Sequence, residues 1–323
     1  MPNQQGLLLR DDLKRVVETL HSEEDNVTPY REDYRHLLDN HGKMIRASVV
    51  LLFSYATQSG SPQPAAKDVV TGAAAIEMLH LATLVHDDVL DNASVRRNQP
   101  TVQTVRGNKA AIYLGDLILS RYMEIMSIIS PDKAFIAEQA HTVNEIVSGD
   151  LLQECARHDT STTKEYYEKA IAGKTAALFR LAAITGIKLS VSEPTAQALE
   201  QAKTFGLHLG MAFQILDDVE DFNVAHDTGK PKLEDIRDGI YTLPVILAIA
   251  SDPAFTDIVK RDDPLQVLDY FKAHPQFIKG AKDEARNHLQ AAKAAITDNA
   301  YPPINAGTAK ALTDVIDRFI KTI

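Results

Sequence analysis

Residues 65–91 read AAKDVVTGAAAIEMLHLATLVHDDVLD, and this stretch decides the fold class. Apolar side chains recur at three- and four-residue intervals, at Val69, Val70, Ala73, Ile76, Leu84 and Val85, which is the period of an α-helix. A helix covering all of 65–91 is long by ordinary standards. It ends in Asp87, Asp88 and Asp91, spaced i, i+1 and i+4, so an apolar rod carries a concentration of negative charge at its tip.

The same periodicity runs outward in both directions. Helices are expected at roughly 5–21, 29–40, 44–58, 65–91, 108–129, 131–157, 162–188, 193–223, 240–251, 263–274, 280–297 and 305–322. Ser59, Gly60, Ser61, Pro62 and Pro64 separate two of them, Asn98, Gln99 and Pro100 end another, and Ser130, Pro131 and Asp132 cap a third. With 15 Gly and 14 Pro in 323 residues, a strand-and-turn architecture is disfavoured. No fixed-period repeat, low-complexity tract or linker interrupts the pattern. The expectation is an all-α chain, one domain over 1–323, built as a helical bundle around a deep central cavity.

Composition removes several function classes. Hydrophobic residues make up 45% and charged residues 24%, which excludes wholesale disorder. Lys+Arg number 34 against 44 Asp+Glu, a net charge of -10 without any basic block, so no nucleic-acid partner is expected. Cys155 is the single cysteine, and no Cys/His spacing in the sequence has the form of a zinc site. The longest apolar run, Leu243 to Ala250, is too short to span a membrane, and the N-terminus lacks a signal-peptide pattern. No transmembrane segment and a cytoplasmic location are therefore expected.

A second segment repeats the aspartate pattern: Gln214-Ile215-Leu216-Asp217-Asp218-Val219-Glu220-Asp221. Residues i and i+4 share a helix face with Cβ atoms ~6 Å apart, a gap two carboxylates can bridge through a hard divalent cation. Without a cation, such crowding costs repulsion and desolvation at the helix end whose dipole already repels anions. Mg²⁺ commonly binds one or two carboxylates plus substrate phosphate oxygens, which points to a diphosphate ligand. Cationic residues follow each cluster, Arg96 and Arg97 after the first and Lys230 after the second. A solvated helix end explains one such cluster alone, but two with trailing cations explain themselves better as a site.

With both clusters in view, the chain resembles the trans-isoprenyl diphosphate synthases, the polyprenyl synthetase family, and within it the medium- and long-chain members. Asp87 to Asp91 with Arg96-Arg97 is similar to its first aspartate-rich motif and Asp217 to Asp221 to its second. Gly42-Lys43-Met44-Ile45-Arg46, Glu77-Met78-Leu79-His80, Gly115-Asp116, Lys174-Thr175, Phe213-Gln214, Gly229-Lys230-Pro231 and Thr242-Leu243-Pro244 match further segments in the family's order, from about residue 40 to 245.

The resemblance implies the isoprenoid-synthase fold and a role for each matched residue. Lys43, Arg46, His80 and Arg97 would bind the diphosphate of isopentenyl diphosphate. Asp87, Asp91 and Asp217 would hold Mg²⁺ on an allylic diphosphate, with Asp88, Asp218 and Asp221 in support, and Arg96, Lys174, Thr175, Gln214 and Lys230 would complete that pocket. It implies a head-to-tail prenyltransferase, in which an allylic C–O bond breaks, the double bond of isopentenyl diphosphate attacks the cation, and the released diphosphate takes the proton. It also implies a homodimer, with a heterodimer containing a small subunit as the alternative.

Product length is expected to be set below the first cluster. Thr83, Leu79 and Ile76 share Asp87's face, about 6, 12 and 16 Å below it at ~1.5 Å per residue, with Ala82 alongside. Short-chain relatives often carry a bulky aromatic four or five residues before the first aspartate, where Thr83 and Ala82 stand here. The implied product is geranylgeranyl diphosphate or longer, in the hexaprenyl to octaprenyl range. Three positions depart from the family pattern: Asn98 where glycine usually follows the arginine pair, Met44 in place of a basic residue, and Ile240 in place of a lysine, for which Lys232 or Arg237 is the candidate substitute. Tyr166, Tyr167, the methionines and Cys155 read as packing residues. A head-to-head or cyclising enzyme of the same helical class, and a noncatalytic helical partner of another synthase, are the rivals. Gly42 to Arg46 weighs against the first, and the intact aspartates against the second.

Overall fold

The computed structural model describes residues 4–40, 42–58, 63–223, 233–261, 263–297 and 306–320. In chain order the helices are α1 (Gln4–Ser22), α2 (Arg31–Asp39), α3 (Ile45–Ala56), α4 (Lys67–Leu90), α5 (Val102–Arg106), α6 (Asn108–Ile129), α7 (Lys133–Cys155), α8 (Lys164–Ile171), α9 (Ala177–Lys188), α10 (Ala196–Glu220), α11 (Glu234–Arg237), α12 (Leu243–Ser251), α13 (Pro253–Val259), α14 (Pro264–Ala273), α15 (Gln276–Thr297) and α16 (Ala306–Ile320). Among the described residues the strands are two short ones, β1 (Val95–Arg96) and β2 (Gln99–Pro100), paired as a hairpin.

Helix α4 is the axis of the bundle because it is apolar on every side. Val70, Ala73, Ala74, Ala75, Ile76, Met78 and Leu79 are all buried, and a helix without a polar face must be enclosed by others. It is surrounded by α1, α3, α6 and α9, while α10 packs between α9 and α15 on the far side. By length and composition alone, α4 and the 164–188 segment could cross a membrane, unlike the expectation that nothing approached that length. Their apolar windows are 72% and 78% buried inside the fold, which makes them core helices of this bundle.

Helix starts follow local chemistry. Asp132, Thr163 and Thr195 accept backbone N–H bonds from Phe135, Tyr166 and Ala198, and proline occupies the first turn of α12, α13 and α14. Such caps contribute ~1 kcal/mol each.

The single helix expected over 162–188 is present as one continuous run over 164–188, in which a π-helical turn at Ala172–Ala176 joins α8 to α9. Gly173 faces Gly149 of α7 at that turn, and a Cβ on Gly149 would stand 2.1 Å from the Lys174 backbone nitrogen. This close approach sets the depth at which Lys174 sits.

The hairpin turn places Arg97 (φ 51°) and Asn98 (φ 62°) in the left-handed region. Two such residues are what a tight two-residue hairpin requires, and asparagine tolerates this conformation better than most side chains. Asn98 can therefore stand where relatives carry glycine.

Gly149→Ala is expected to lose roughly 1–3 kcal/mol of stability, as overpacking against unyielding backbone usually does. Gly280→Ala, which meets only the flexible Leu247 Cδ1 at 3.2 Å, should change stability by less than ~1 kcal/mol. Urea denaturation of the two variants checks this, and a well-tolerated Gly149→Ala would contradict it.

Candidate active site

The C-terminal ends of α4 and α10 open on one cavity of about 570 Å³. Asp91 and Asp221 stand at the C-cap positions of the two helices. The cavity wall carries Asp87, Asp91, Asp150, Asp217, Asp218, Asp235 and Asp238 against Arg46, Arg96 and Lys174. This excess of carboxylates is the dominant electrostatic feature of the site.

Each cluster divides into aspartates bound into the protein, Asp88 in the first and Asp218 and Asp221 in the second, and aspartates on the cavity wall without such a hold, Asp87 and Asp91 in the first and Asp217 in the second. In the first, Asp88 is 3% exposed and accepts a 2.7 Å bond from Arg96 Nε. Asp87 faces the cavity, and burial pushes its pKa up to about 7 despite Lys174 nearby. Asp91 lies 4.0 Å from the Arg157 guanidinium, a cation that the sequence reading did not consider.

In the second cluster, buried Asp218 accepts the Tyr167 hydroxyl at 2.6 Å and Gln214 Nε2 at 2.7 Å. Burial raises its pKa to about 7 against those two hydrogen bonds. Gln214 in turn accepts the Thr175 hydroxyl, so Thr175, Gln214, Asp218 and Tyr167 form a continuous chain. Asp221 Oδ1 accepts Leu233 N at 2.9 Å, tying the end of α10 to the segment before α11. Asp217 remains on the cavity wall.

Lys174 bridges the two halves. Its Nζ lies 3.1 Å from Asp150 Oδ1. Burial opposes its charge, but Asp150, Asp87 and Asp91 together hold its pKa above the usual lysine value.

Arg46 also lines the cavity; it is 9% exposed, and its guanidinium lies 4.5 Å from the Phe179 ring centroid and 5.8 Å from that of Phe213. Burial lowers its pKa only to about 10, so it keeps its charge, and its buried Nε has no hydrogen-bond partner among the described residues. An unpartnered donor of this kind suits an incoming anion. His80 also lines the cavity, and burial, then Arg46 and Arg97, hold its pKa well below normal, so it is a neutral donor or acceptor. Arg97 donates to the Asn40 carbonyl at 2.6 Å and packs over Gly42, while Lys43 is exposed, off the cavity wall.

Several sequence expectations need adjustment. Tyr167 and Tyr166, read as packing residues, line the cavity, and Tyr167 holds Asp218. Cys155 is exposed, not packed. Asp150 stands alone in the sequence, and Asp235 belongs with Glu234 and Asp238 to a third acidic triplet at i, i+1 and i+4; both lie outside the two clusters and line the site. Ile240 lines the cavity as an apolar residue, and Arg237 is exposed and off the wall, so it does not replace the missing lysine. Lys230 and Lys232 lie outside the described residues.

Thr83 lines the cavity, whereas Ala82, Leu79 and Ile76 are buried in packed core below it and do not. The cavity therefore ends at Thr83 on this face, and below it α4 packs against α6 and α9. A Cβ on Gly72, one turn below Ile76, would meet Leu189 Cδ1 at 2.4 Å and Ile129 Cδ1 at 3.6 Å.

A helical bundle that converges two aspartate-tipped helices on one cavity has known counterparts. The profile of the polyprenyl synthetase family matches residues 28–269, and the chain belongs to that family. It is 36% identical over 217 residues, 67% of this chain, to an all-trans-nonaprenyl-diphosphate synthase (geranyl-diphosphate specific) of Rhodobacter capsulatus, of whose length it covers 64%. It is 34% identical over 247 residues, 76% of this chain and 74% of the relative, to heptaprenyl diphosphate synthase component 2 of Geobacillus stearothermophilus. The crystal structure of heptaprenyl diphosphate synthase from Staphylococcus aureus superposes with a TM-score of 0.87 at 24% identity, covering 97% of this chain and 98% of that one, which shows the common fold.

The raised pKa of Asp87 gives a pH dependence with a definite sign. A protonated carboxyl is a poor metal ligand, and Asp87 loses its proton as pH rises through about 7. Affinity for a divalent cation, measured by calorimetry, should therefore increase from about pH 6 to 8, by up to ~10-fold per unit where one proton is released. An affinity independent of pH over that range would contradict the role of Asp87.

Proposed function

We infer that this chain is a Mg²⁺-dependent head-to-tail prenyltransferase that joins isopentenyl diphosphate to an allylic diphosphate and releases a trans-polyprenyl diphosphate of geranylgeranyl length or longer. The observation that carries this reading is the charge imbalance of the cavity, seven aspartates against Arg46, Arg96 and Lys174. A wall that negative repels a diphosphate unless cations enter with it. Asp87, Asp91 and Asp217 have the donor chemistry to hold Mg²⁺, which takes hard oxygen ligands and keeps positions for phosphate oxygens. When bound, the metal neutralises charge building on a departing diphosphate.

The protein's own groups divide the remaining work. Lys174 faces the first cluster and adds a fixed positive charge where the leaving diphosphate gains electron density. Arg46, with His80 also on the cavity wall, offers donors for the second diphosphate, whose anion needs fixed cations. Asp88, held by Arg96, and Asp218, held by Tyr167 and Gln214, fix the two helix ends. In the same cavity, Leu84, Ile146, Ile171, Leu178 and Phe213 form an apolar lining that keeps water from an allylic cation.

Length beyond the visible cavity requires Leu79 and Ile76 to yield to the growing chain. The nonaprenyl and heptaprenyl products named for the two curated relatives support a long product here. Exposed Ile112 and Tyr113 on α6, with Val147 and Leu151 on α7, suit pairing with a second copy. The Geobacillus relative is named as one component of a synthase, which keeps a heterodimer as the alternative. The acidic surface and unpaired Cys155 fit a cytoplasmic protein.

Incubation with Mg²⁺, isopentenyl diphosphate and allylic primers, followed by mass detection, should yield trans products of geranylgeranyl length or longer. Asp87→Ala and Asp217→Ala should each lower kcat at least ~100-fold, since a group acting on transition-state charge contributes ~3 kcal/mol or more. Farnesyl diphosphate as the end product, or near-normal turnover by either variant, would overturn the assignment.

A further inference from the structure

We propose that Glu168 on α8 and Glu284 and His288 on α15 form a second metal site, separate from the aspartate cavity and suited to a zinc-like transition-metal dication. Their ligating atoms lie within 4.8 Å of one another, and none of the three residues lines the cavity. Glu284 and His288 are four residues apart on one face of α15, and Glu168 meets them from the neighbouring helix.

The histidine supplies the observation that points to a ligand. His288 Nε2 is buried and has no hydrogen-bond partner, standing 4.0 Å from Glu284 Oε1, too far for a bond. Its other nitrogen, Nδ1, lies 2.8 Å from His208 Nδ1 on α10. Two ring nitrogens at that distance share one proton. With that proton on His288 Nδ1, its Nε2 presents a lone pair toward the two carboxylates. A metal-ligating histidine is ordinarily oriented this way, by a hydrogen bond from its second nitrogen.

Charge is also incompletely balanced. Lys164 Nζ sits 3.0 Å from Glu284 Oε2 and 3.4 Å from Glu168 Oε1, so one ammonium serves two carboxylates. Its side chain is 36% exposed and can turn outward, leaving the pair to a dication. One imidazole, two carboxylates and a fourth position open to water match the ligand preferences of Zn²⁺, whereas Mg²⁺ and Ca²⁺ favour oxygen alone. Glu168 follows Tyr167, whose hydroxyl holds Asp218, so an ion here pins to α15 the helix that supports the second aspartate cluster.

The test uses the full, tag-free chain stripped of metal and held in excess Mg²⁺, which occupies the oxygen-only sites. Titration with Co²⁺ should show one equivalent taken up with the intense visible bands of a low-coordinate nitrogen-containing site, displaced by Zn²⁺. Glu168→Gln and His288→Ala should abolish that equivalent, and His208→Ala should weaken it by about 10–100-fold. Lys164→Met should tighten it, because the competing ammonium is gone. Glu168→Gln preserves shape and keeps the test valid if His288→Ala misfolds. Absence of uptake by the wild type, or uptake retained in Glu168→Gln, would overturn the proposal.

Discussion

Like charges forced together at the ends of two buried helices form the constraint on which the rest of this structure depends. Asp87, Asp88 and Asp91 close α4, and Asp217, Asp218 and Asp221 close α10, each set at the helix end where the backbone dipole is also negative. Three costs act at once: mutual repulsion, loss of water, and the dipole. The raised pKa values of Asp87 and Asp218 are the direct signature of the second. One aspartate per cluster is held locally, Asp88 by the charge of Arg96 and Asp218 by hydrogen bonds from Tyr167 and Gln214. Asp221 is tied to the Leu233 backbone, while Asp87, Asp91 and Asp217 remain on the cavity wall, with Lys174 a fixed counter-charge to Asp87 and Asp91. A protein that keeps such an arrangement has left room for cations from outside.

The architecture serves that convergence. An apolar α4, enclosed on every side, delivers the first cluster to a fixed point because it has no polar face on which to rotate. The π-helical turn at Ala172–Ala176, pressed against Gly149, lifts Lys174 out of regular helical register into contact with Asp150. Such single-turn bulges recur at functional sites because they re-aim one side chain without breaking the helix. Hydrogen bonds from Thr175 through Gln214 to Asp218 then tie that turn to α10, so both halves of the site are held by one network.

What the sequence made legible follows physical lines. Period 3.6 and paired i, i+1, i+4 aspartates are local patterns, and they revealed the all-helical class and both acidic helix ends. Asp235, with Glu234 and Asp238, repeats the same spacing, whereas Asp150, Tyr167 and Arg157 could not be found that way, because none belongs to such a triplet and each reaches the site only when helices distant in the chain pack together. The same holds for Glu168, Glu284 and His288, whose separation hides them from any spacing rule. Counting back along α4 puts Ile76 and Leu79 below Asp87, but spacing along one helix does not show that both are buried there, off the cavity wall. The hairpin turn was hidden for another reason: its left-handed Arg97 and Asn98 are set by pairing of β1 with β2 and not by local propensity.

The central claim is that the two acidic helix ends act as one site, with cations shared through a diphosphate. Anomalous diffraction from crystals grown with Mn²⁺ and inorganic diphosphate tests it most directly. The account expects Mn²⁺ between Asp87 and Asp91 on one side and Asp217 on the other, with the diphosphate bound between them and within reach of Lys174. Mn²⁺ confined to a single cluster, or diphosphate seated in the cavity without any ion, would contradict it.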